Sequence, residues 1–165
     1  MEQVNKKFVF EKANENDFGE IKKLYKNVIK TTFTTWDENY PSDNLLIEDI
    51  KNEQLFVLRD NSKIIAVSFL GTKNNDTENW SLKLKSPMSV ARICVSPQYQ
   101  GRGVGSYFMN QIICEAKKRG ADGMHFHVCT QNSSAIKMYE KVGFKNLGRG
   151  QSNYGYDFFK FEQKF

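Results

Sequence analysis

Between Met88 and Gly120 a nearly continuous apolar run leads straight into a glycine-rich turn and then an amphipathic helix, an order that few folds accommodate. Met88 to Val95, interrupted by Arg92, has the character of a strand buried on both faces. Val104, Phe108, Ile112 and Ala116 recur at steps of four, predicting a helix that stops at Gly120. Lys117, Lys118 and Arg119 then complement the helix dipole, a simpler use of that basic group than nucleic-acid binding.

The joining segment reads Val95-Ser96-Pro97-Gln98-Tyr99-Gln100-Gly101-Arg102-Gly103-Val104-Gly105. The first N–H groups of a helix lack intrahelical partners, and residues without Cβ let the backbone curl around an anion. Gly101 to Ser106 is therefore a candidate pyrophosphate cradle, although tight strand-to-helix packing alone also uses such glycines. A P-loop would need Lys followed by Ser or Thr after its last Gly, and Val104-Gly105 stand there instead. A dinucleotide fingerprint wants G-x-G-x-x-G with an acid about twenty residues on. Asp122 lies at that distance, but the spacing G-x-G-x-G counts against it.

The rest of the chain alternates short strands and helices. Lys7 to Lys12 predicts a strand, and Asp17 with Glu20 has capping-box spacing before the apolar face of Phe18, Ile21, Leu24, Tyr25 and Val28. Thr31 to Tyr40 predicts a loop closing on Pro41, after which Ser42 caps a helix carrying Leu46, Ile47 and Ile50. Gln54 to Arg59 and Lys63 to Leu70 predict a hairpin around Asp60-Asn61-Ser62. Lys73 to Pro87 predicts a long connection with a partial strand around Trp80, Leu82 and Leu84. Met124 to Thr130 predicts a strand, Asn132 or Ser133 starts a helix to Val142, and Gly143 stops it. Phe144 to Leu147 and Tyr154 to Glu162 predict two closing strands.

With 39% hydrophobic residues, including thirteen Phe, seven Tyr and two Trp, the 165-residue chain carries enough apolar surface for one core, so residues 1–165 are expected to form a single domain. Cys94, Cys114 and Cys129 lack zinc or disulfide spacing and predict reduced, buried thiols with no metal. No stretch approaches the roughly eighteen apolar residues of a membrane span, and the first residues lack an apolar leader, so a cytoplasmic protein without a membrane partner is expected. The net charge of +5 is scattered, which suits an anionic ligand.

Two motifs in order carry a resemblance to the GNAT superfamily of acyl-CoA-dependent N-acetyltransferases. Its pyrophosphate loop, Q/R-x-x-G-x-G/A after V-x-P, is matched by Val95, Pro97, Gln98, Gly101 and Gly103. Its second signature, an Asn seven residues before Y-E-K-x-G-F, is matched by Asn132 and Tyr139 to Phe144. The match is sharp from Arg92 to Phe144 and architectural before that. The resemblance implies an α/β fold with about seven mostly antiparallel strands, a splayed parallel central pair and four helices. It implies that the main chain of Ile93, Cys94 and Val95 bonds pantetheine and polarises the thioester, and that Gln100, Gly101, Arg102, Gly103, Val104, Gly105 and Ser106 hold the diphosphate of acetyl-CoA. Asn132 would hold the pantetheine or diphosphate arm, and Tyr139 would approach the sulfur.

Acetyl transfer needs a neutral amine, a donor for the oxyanion and a proton for the departing thiolate. Tyr139, a phenol with an ordinary pKa of about 10, stays protonated at neutral pH and serves as the proton donor. Its helical face with Ala135, Met138 and Val142 would pack on the sheet whatever the function. Many relatives place a carboxylate on one of the splayed strands, whereas Ala91, Arg92 and Cys94 offer none, so His127 is the candidate base. A water-mediated route, a free fraction of neutral amine, or a purely structural imidazole are the alternatives. Strand alternation puts His125 on the same face as His127. A Cys94 acyl-enzyme is disfavoured because a buried thiol ionises poorly.

The resemblance assigns acceptor recognition to Thr31–Pro41 and Gly148–Tyr156, with Trp36 and Tyr40 as an aromatic wall or a hydrophobic plug, and Asp37, Glu38 and Asp43 near a cationic amine. The expected activity moves acetyl from acetyl-CoA to a primary amine of a small molecule or a peptide or protein N-terminus, by direct attack in a ternary complex. A non-catalytic acyl-CoA-binding module is the alternative. An RNA- or ribosome-associated protein, whose binding would fall steeply with salt, is a third class and is not expected. Homodimers are common among such relatives.

Overall fold

The computed structural model describes residues 8–31, 34–72, 79–150 and 155–165. In chain order these form β1 (Phe8–Lys12), a 3-10 turn (Glu15–Asp17), α1 (Phe18–Thr31), α2 (Asp43–Lys51), β2 (Leu55–Asp60), β3 (Lys63–Gly71) and β4 (Pro87–Val95). A second 3-10 turn (Pro97–Tyr99) precedes α3 (Val104–Lys118), then β5 (Gly123–Cys129), α4 (Ser133–Lys141), β6 (Lys145–Arg149) and β7 (Phe158–Lys164). The strands make one sheet in the order β1-β2-β3-β4-β5-β7-β6. Every neighbouring pair is antiparallel except β4 and β5, which are parallel.

Helices cover both faces, which is why β2 and β3 read as unbroken apolar runs. On one face Phe108, Met109 and Ile112 of α3 and Tyr139 of α4 pack on Phe56, Ile65, Met124, Phe126 and Phe161. On the other, Ile21, Leu24 and Val28 of α1 with Leu46 and Ile50 of α2 pack on Leu55, Val57, Ile64 and Val67. Ile47, expected on that stripe, is exposed, so α2 buries a narrower face than its apolar residues imply. Ser42 caps α2 as expected, its hydroxyl accepting from the Leu45 amide at 3.2 Å.

Several local expectations are displaced. The capping box lies one turn earlier than Asp17 and Glu20: Asn14 is the cap, and the Asp17 carboxylate accepts from the Asn14 amide at 2.9 Å. The chain enters the helix through a 3-10 turn, which makes Asp17 the third residue of the element. Glu20 instead accepts from the Ile64 amide at 2.7 Å, fastening α1 to β3. The last strand runs Phe158–Lys164 rather than from Tyr154 to Glu162, because it pairs with β5 along its whole length, from Gly123 opposite Lys164 to Cys129 opposite Phe158. Lys7 and Tyr154 lie outside the described residues. Cys114 is exposed on α3, whereas Cys94 and Cys129 are buried.

Residues 79–86 contain no strand but form a strap across the open face of β5 and β7. Trp80 stacks on His125 with centroids 4.3 Å apart. The buried Glu162 carboxylate accepts from the Ser81 hydroxyl and the Leu82 amide, and Asp122 accepts from the Lys85 and Ser86 amides at 2.6 and 2.9 Å. Asp122 is thus a brace for this strap. Arg119, at the end of α3, donates to the Glu53 carbonyl at 2.8 Å and lies over the Phe56 ring, in keeping with a structural role for the basic group.

β4 and β5 pair only at Pro87 with Gly123 and Met88 with Met124. A Cβ on Gly123 would lie 2.4 Å from the Gln163 carbonyl oxygen and 2.8 Å from Leu84. Gly123→Ala is expected to cost about 1–3 kcal/mol, the range for overpacking a close contact. A fall in the urea midpoint with an unchanged slope would show it; an unchanged midpoint would mean that the junction of the two half-sheets adjusts freely.

Candidate active site between the splayed strands

Beyond Met88 the two central strands part, and β4 changes course at a bulge. Val67 faces Cys94 and Phe69 faces Ala91, so Arg92 and Ile93 together oppose Ser68 alone. Arg92 adopts φ 54°, the left-handed region, which costs a side-chain-bearing residue roughly 1–2 kcal/mol. Its main-chain carbonyl accepts from the Tyr25 hydroxyl at 2.6 Å. Its guanidinium, almost fully buried, donates to Asp49 of α2 and lies 4.9 Å from the Phe69 ring centroid, with Tyr40 Oη 3.5 Å away. Sequence reading found Arg92 only as an interruption. A buried cation demands an acid, yet nothing in the sequence says that the acid is Asp49.

The gap is a cleft of about 570 Å³. Ile93, Cys94 and Val95 line it from β4, His127 and Val128 from β5, and Asn132 and Tyr139 from the α4 side. Gln100, Gly101, Gly103, Gly105 and Ser106 close one end and Trp36 the other side. Arg102 and Val104 are not among the lining residues: Arg102 lies 5.9 Å from the Tyr99 ring, and Val104 is buried in the core. The Ser96 amide donates to Ile65 of β3 at 2.7 Å, so strand alternation turns the Val95 amide away from β3, toward the cleft. The Val95 carbonyl accepts from the Gln100 side chain at 2.9 Å.

At the turn, Gly101 and Gly103 have φ 74° and 81°, values that favour glycine. Gly103 caps α3 without a side chain, and the first helical bond runs from the Tyr107 amide to the Gly103 carbonyl at 3.0 Å. The amides of Val104, Gly105 and Ser106 precede that bond and stand at the positive end of a fifteen-residue helix. A Cβ on Gly105 would meet Met138 at 3.7 Å, so this glycine also brings α3 close to α4.

Tyr139 is enclosed by Phe126, Phe144 and Phe161, with ring centroids 4.7, 6.0 and 5.8 Å away. Burial raises its phenol above the usual range. Among the described residues none is hydrogen-bonded to its hydroxyl. Asn132 caps α4, its side-chain oxygen accepting from the Ala135 amide at 3.2 Å. His127 and His125 share a face of β5, as alternation predicts, and Trp80 lies 5.6 Å from the His127 ring. That indole is a wall of the histidine face which sequence reading left in a connection. Cys94 is buried and its thiol is raised by that burial, which argues against a thiolate nucleophile.

Trp36 meets Tyr25 edge-on at 5.4 Å. Tyr40 is 42% exposed and lines a neighbouring groove between α1 and α2 with Asp37, Glu38 and Asp43. The structure therefore separates the two expected acceptor aromatics. Residues 32–33 and 151–154 of the expected acceptor segments lie outside the described residues. Among the described residues no group of three or more metal-ligating side chains is present, and no helix is long and apolar enough to cross a membrane.

Residues 51–146 match the family described as acetyltransferase (GNAT) domain. An uncharacterized N-acetyltransferase of Methanocaldococcus jannaschii is 33% identical over 69 residues, 41% of this chain and 30% of that protein. The chain thus spans less than a third of that relative. The [ribosomal protein bS18]-alanine N-acetyltransferase of Haemophilus influenzae is 26% identical over 117 residues, covering 61% of this chain and 80% of the relative. In fold, the chain is similar to a putative acetyltransferase of Salmonella typhimurium solved with acetyl-CoA, with a TM-score of 0.74 and 16% identity over 95% of this chain and 93% of that one.

Tyr25, Cys94 and Tyr139 all have folded-state pKa values raised, chiefly by burial. A raised folded value means that their stabilisation is complete below the unfolded values, about 8.5 for a thiol and 10 for a phenol, and is lost as pH rises beyond them. The unfolding free energy from urea titration is expected to fall between pH 8 and pH 10.5, by up to about 1.4 kcal/mol per pH unit for each group titrating, and the urea midpoint with it. Cys94→Val should flatten the part of that fall nearest pH 9; a midpoint constant over the whole range would refute the protonated interior.

Proposed function

The chain belongs to the GNAT family of acetyltransferases, and from that premise we propose that it transfers the acetyl group of acetyl-CoA to a primary amine by direct attack in a ternary complex. The observation that carries this reading is the gap itself, where unpaired strand edge, glycine turn and helix start converge on one cleft. Amides of Val104, Gly105 and Ser106 suit the diphosphate. Main-chain groups of Ile93 to Val95 suit pantetheine and the thioester carbonyl. The coenzyme supplies the activated acetyl thioester, and this chain's residues align and deprotonate.

In the proposed reaction the amine nitrogen bonds to the carbonyl carbon and the carbon–sulfur bond breaks. The proton lost by the amine passes to His127 or to water. Among the described cleft-lining residues none is Asp or Glu, and the His127 imidazole is the proposed base there. Tyr139 donates to the departing sulfur. Burial makes its phenol a weaker acid, but the same dehydrated setting raises the thiol's affinity for a proton as well.

For the acceptor, the Haemophilus influenzae relative named for a ribosomal-protein alanine supports a peptide or protein N-terminus. A small monoamine beside Trp36 is the other class this cleft suits. Calorimetry with coenzyme A and acetyl-CoA, followed by thiol release over N-terminal-alanine peptides and small amines, tests the whole reading. Saturable binding with turnover of at least one amine is expected; binding without any turnover would favour the non-catalytic acyl-CoA module. Tyr139→Phe should lower kcat by about 10-fold or more, general acids contributing typically 10²- to 10⁴-fold. His127→Ala should lower kcat/KM and remove the rising limb on the acidic side of its pH profile; the same profile at the same rate would take His127 out of the mechanism.

A further inference from the structure

Resting on the acetyltransferase reading, we infer that Tyr25 and Asp49 are positioning residues that hold the β4 bulge in the geometry needed to aim its amides at the thioester. Arg92, the residue at φ 54°, is tethered twice from the helical layer on the acceptor side. Tyr25 of α1 donates to its carbonyl at 2.6 Å, and Asp49 of α2 fixes its guanidinium.

Each tether answers a specific local need. The extra residue of a bulge is left out of the ladder, and a buried carbonyl without a ladder partner needs a donor. Tyr25 gives one from 67 residues away. A guanidinium facing a core needs a countercharge, and Asp49, itself buried, provides it. With both tethers cut, a side-chain-bearing residue in the left-handed region relaxes toward extended backbone. That rotation re-aims the amides that follow, Ile93 to Val95, which line the cleft.

Tyr25 and the tethered Arg92 side chain both touch the acceptor segment. Trp36 packs edge-on against Tyr25 at 5.4 Å, and Tyr40 Oη stands 3.5 Å from the Arg92 guanidinium. The bulge, Trp36 and Tyr40 are therefore braced by one cluster, so its loss should be felt more in the chemical step than in coenzyme binding.

The test is Tyr25→Phe, which removes only a hydroxyl, measured with acetyl-CoA and an amine that wild type acetylates. The expected result is a kcat at least about 10-fold lower, within the loss seen when an oxyanion donor is mis-set. The Kd for coenzyme A should rise by much less than kcat falls, because the glycine turn under the diphosphate is untouched even where the pantetheine contacts of Ile93 to Val95 shift. Asp49→Leu combined with Arg92→Met, which leaves no buried charge, should give the same split, whereas Ile50→Val in the same helix should keep wild-type kcat. A wild-type kcat in Tyr25→Phe, or coenzyme affinity falling in step with kcat, would overturn the positioning role alone. A wild type that turns over no amine would overturn both this role and the activity on which it rests.

Discussion

The parting of β4 from β5 is the constraint on which the rest of the molecule depends. Strand edges inside a protein normally pair, because an unmade backbone hydrogen bond costs the full desolvation of the group. Here the β4–β5 ladder holds only Pro87–Gly123 and Met88–Met124, followed by the Ser89 hydroxyl donating to the His125 carbonyl, and beyond that the two strands do not pair. The half-sheets are kept from closing by what holds each in place. α3 and α4 bridge one face through Phe108, Met109 and Tyr139. On the other, Glu162 and Asp122 pin residues 79–86 across β5 and β7. An open edge bounded by packed layers suits a molecule that can supply strand-like hydrogen bonds.

The buried charges follow from the same opening. Arg92 and Asp49 gain little net stability as a pair, since desolvation of both offsets their attraction. Their value lies in geometry: a fixed planar cation holds a bulge residue in a conformation the backbone alone would leave. The neighbouring groups remain neutral for a related reason. Burial holds Cys94, Tyr25 and Tyr139 protonated, so the Arg92–Asp49 ion pair stands beside a thiol and phenols that donate without ionising.

Local chemistry made part of this legible in the sequence. The glycines at positive φ, the Asn132 cap and the alternation of His125 and His127 each depend on residues a few positions apart, and the structure keeps them. Distant partners were not legible. Tyr25 and Asp49 lie 67 and 43 positions from Arg92, and Trp80 reaches His125 from a connection whose own pattern is polar. The misplaced cap has the same origin. Asp17 and Glu20 have the right spacing, but Glu20 is taken by the Ile64 amide of a strand 44 positions away. Strand ends were shifted where the partner strand, not the strand's own residues, sets the limit, as in β7 against β5.

The sheet also separates the two proposed proton-transfer groups. Phe126 and Val128 face the α3 and α4 layer, where Tyr139 sits. His127, between them in sequence, points by alternation to the opposite face, beside Trp80. An acid and a base on opposite faces of a continuous sheet would be isolated from one another by its backbone. They share a cleft here only because β4 and β5 have parted. Under the proposed function, an amine arriving from the face of α1 and α2 meets the thioester carbonyl with His127 behind it, while the sulfur departs toward Tyr139. On that proposal, the parting of the strands beside the bulge would let proton removal and proton delivery take place on opposite sides of one carbon atom.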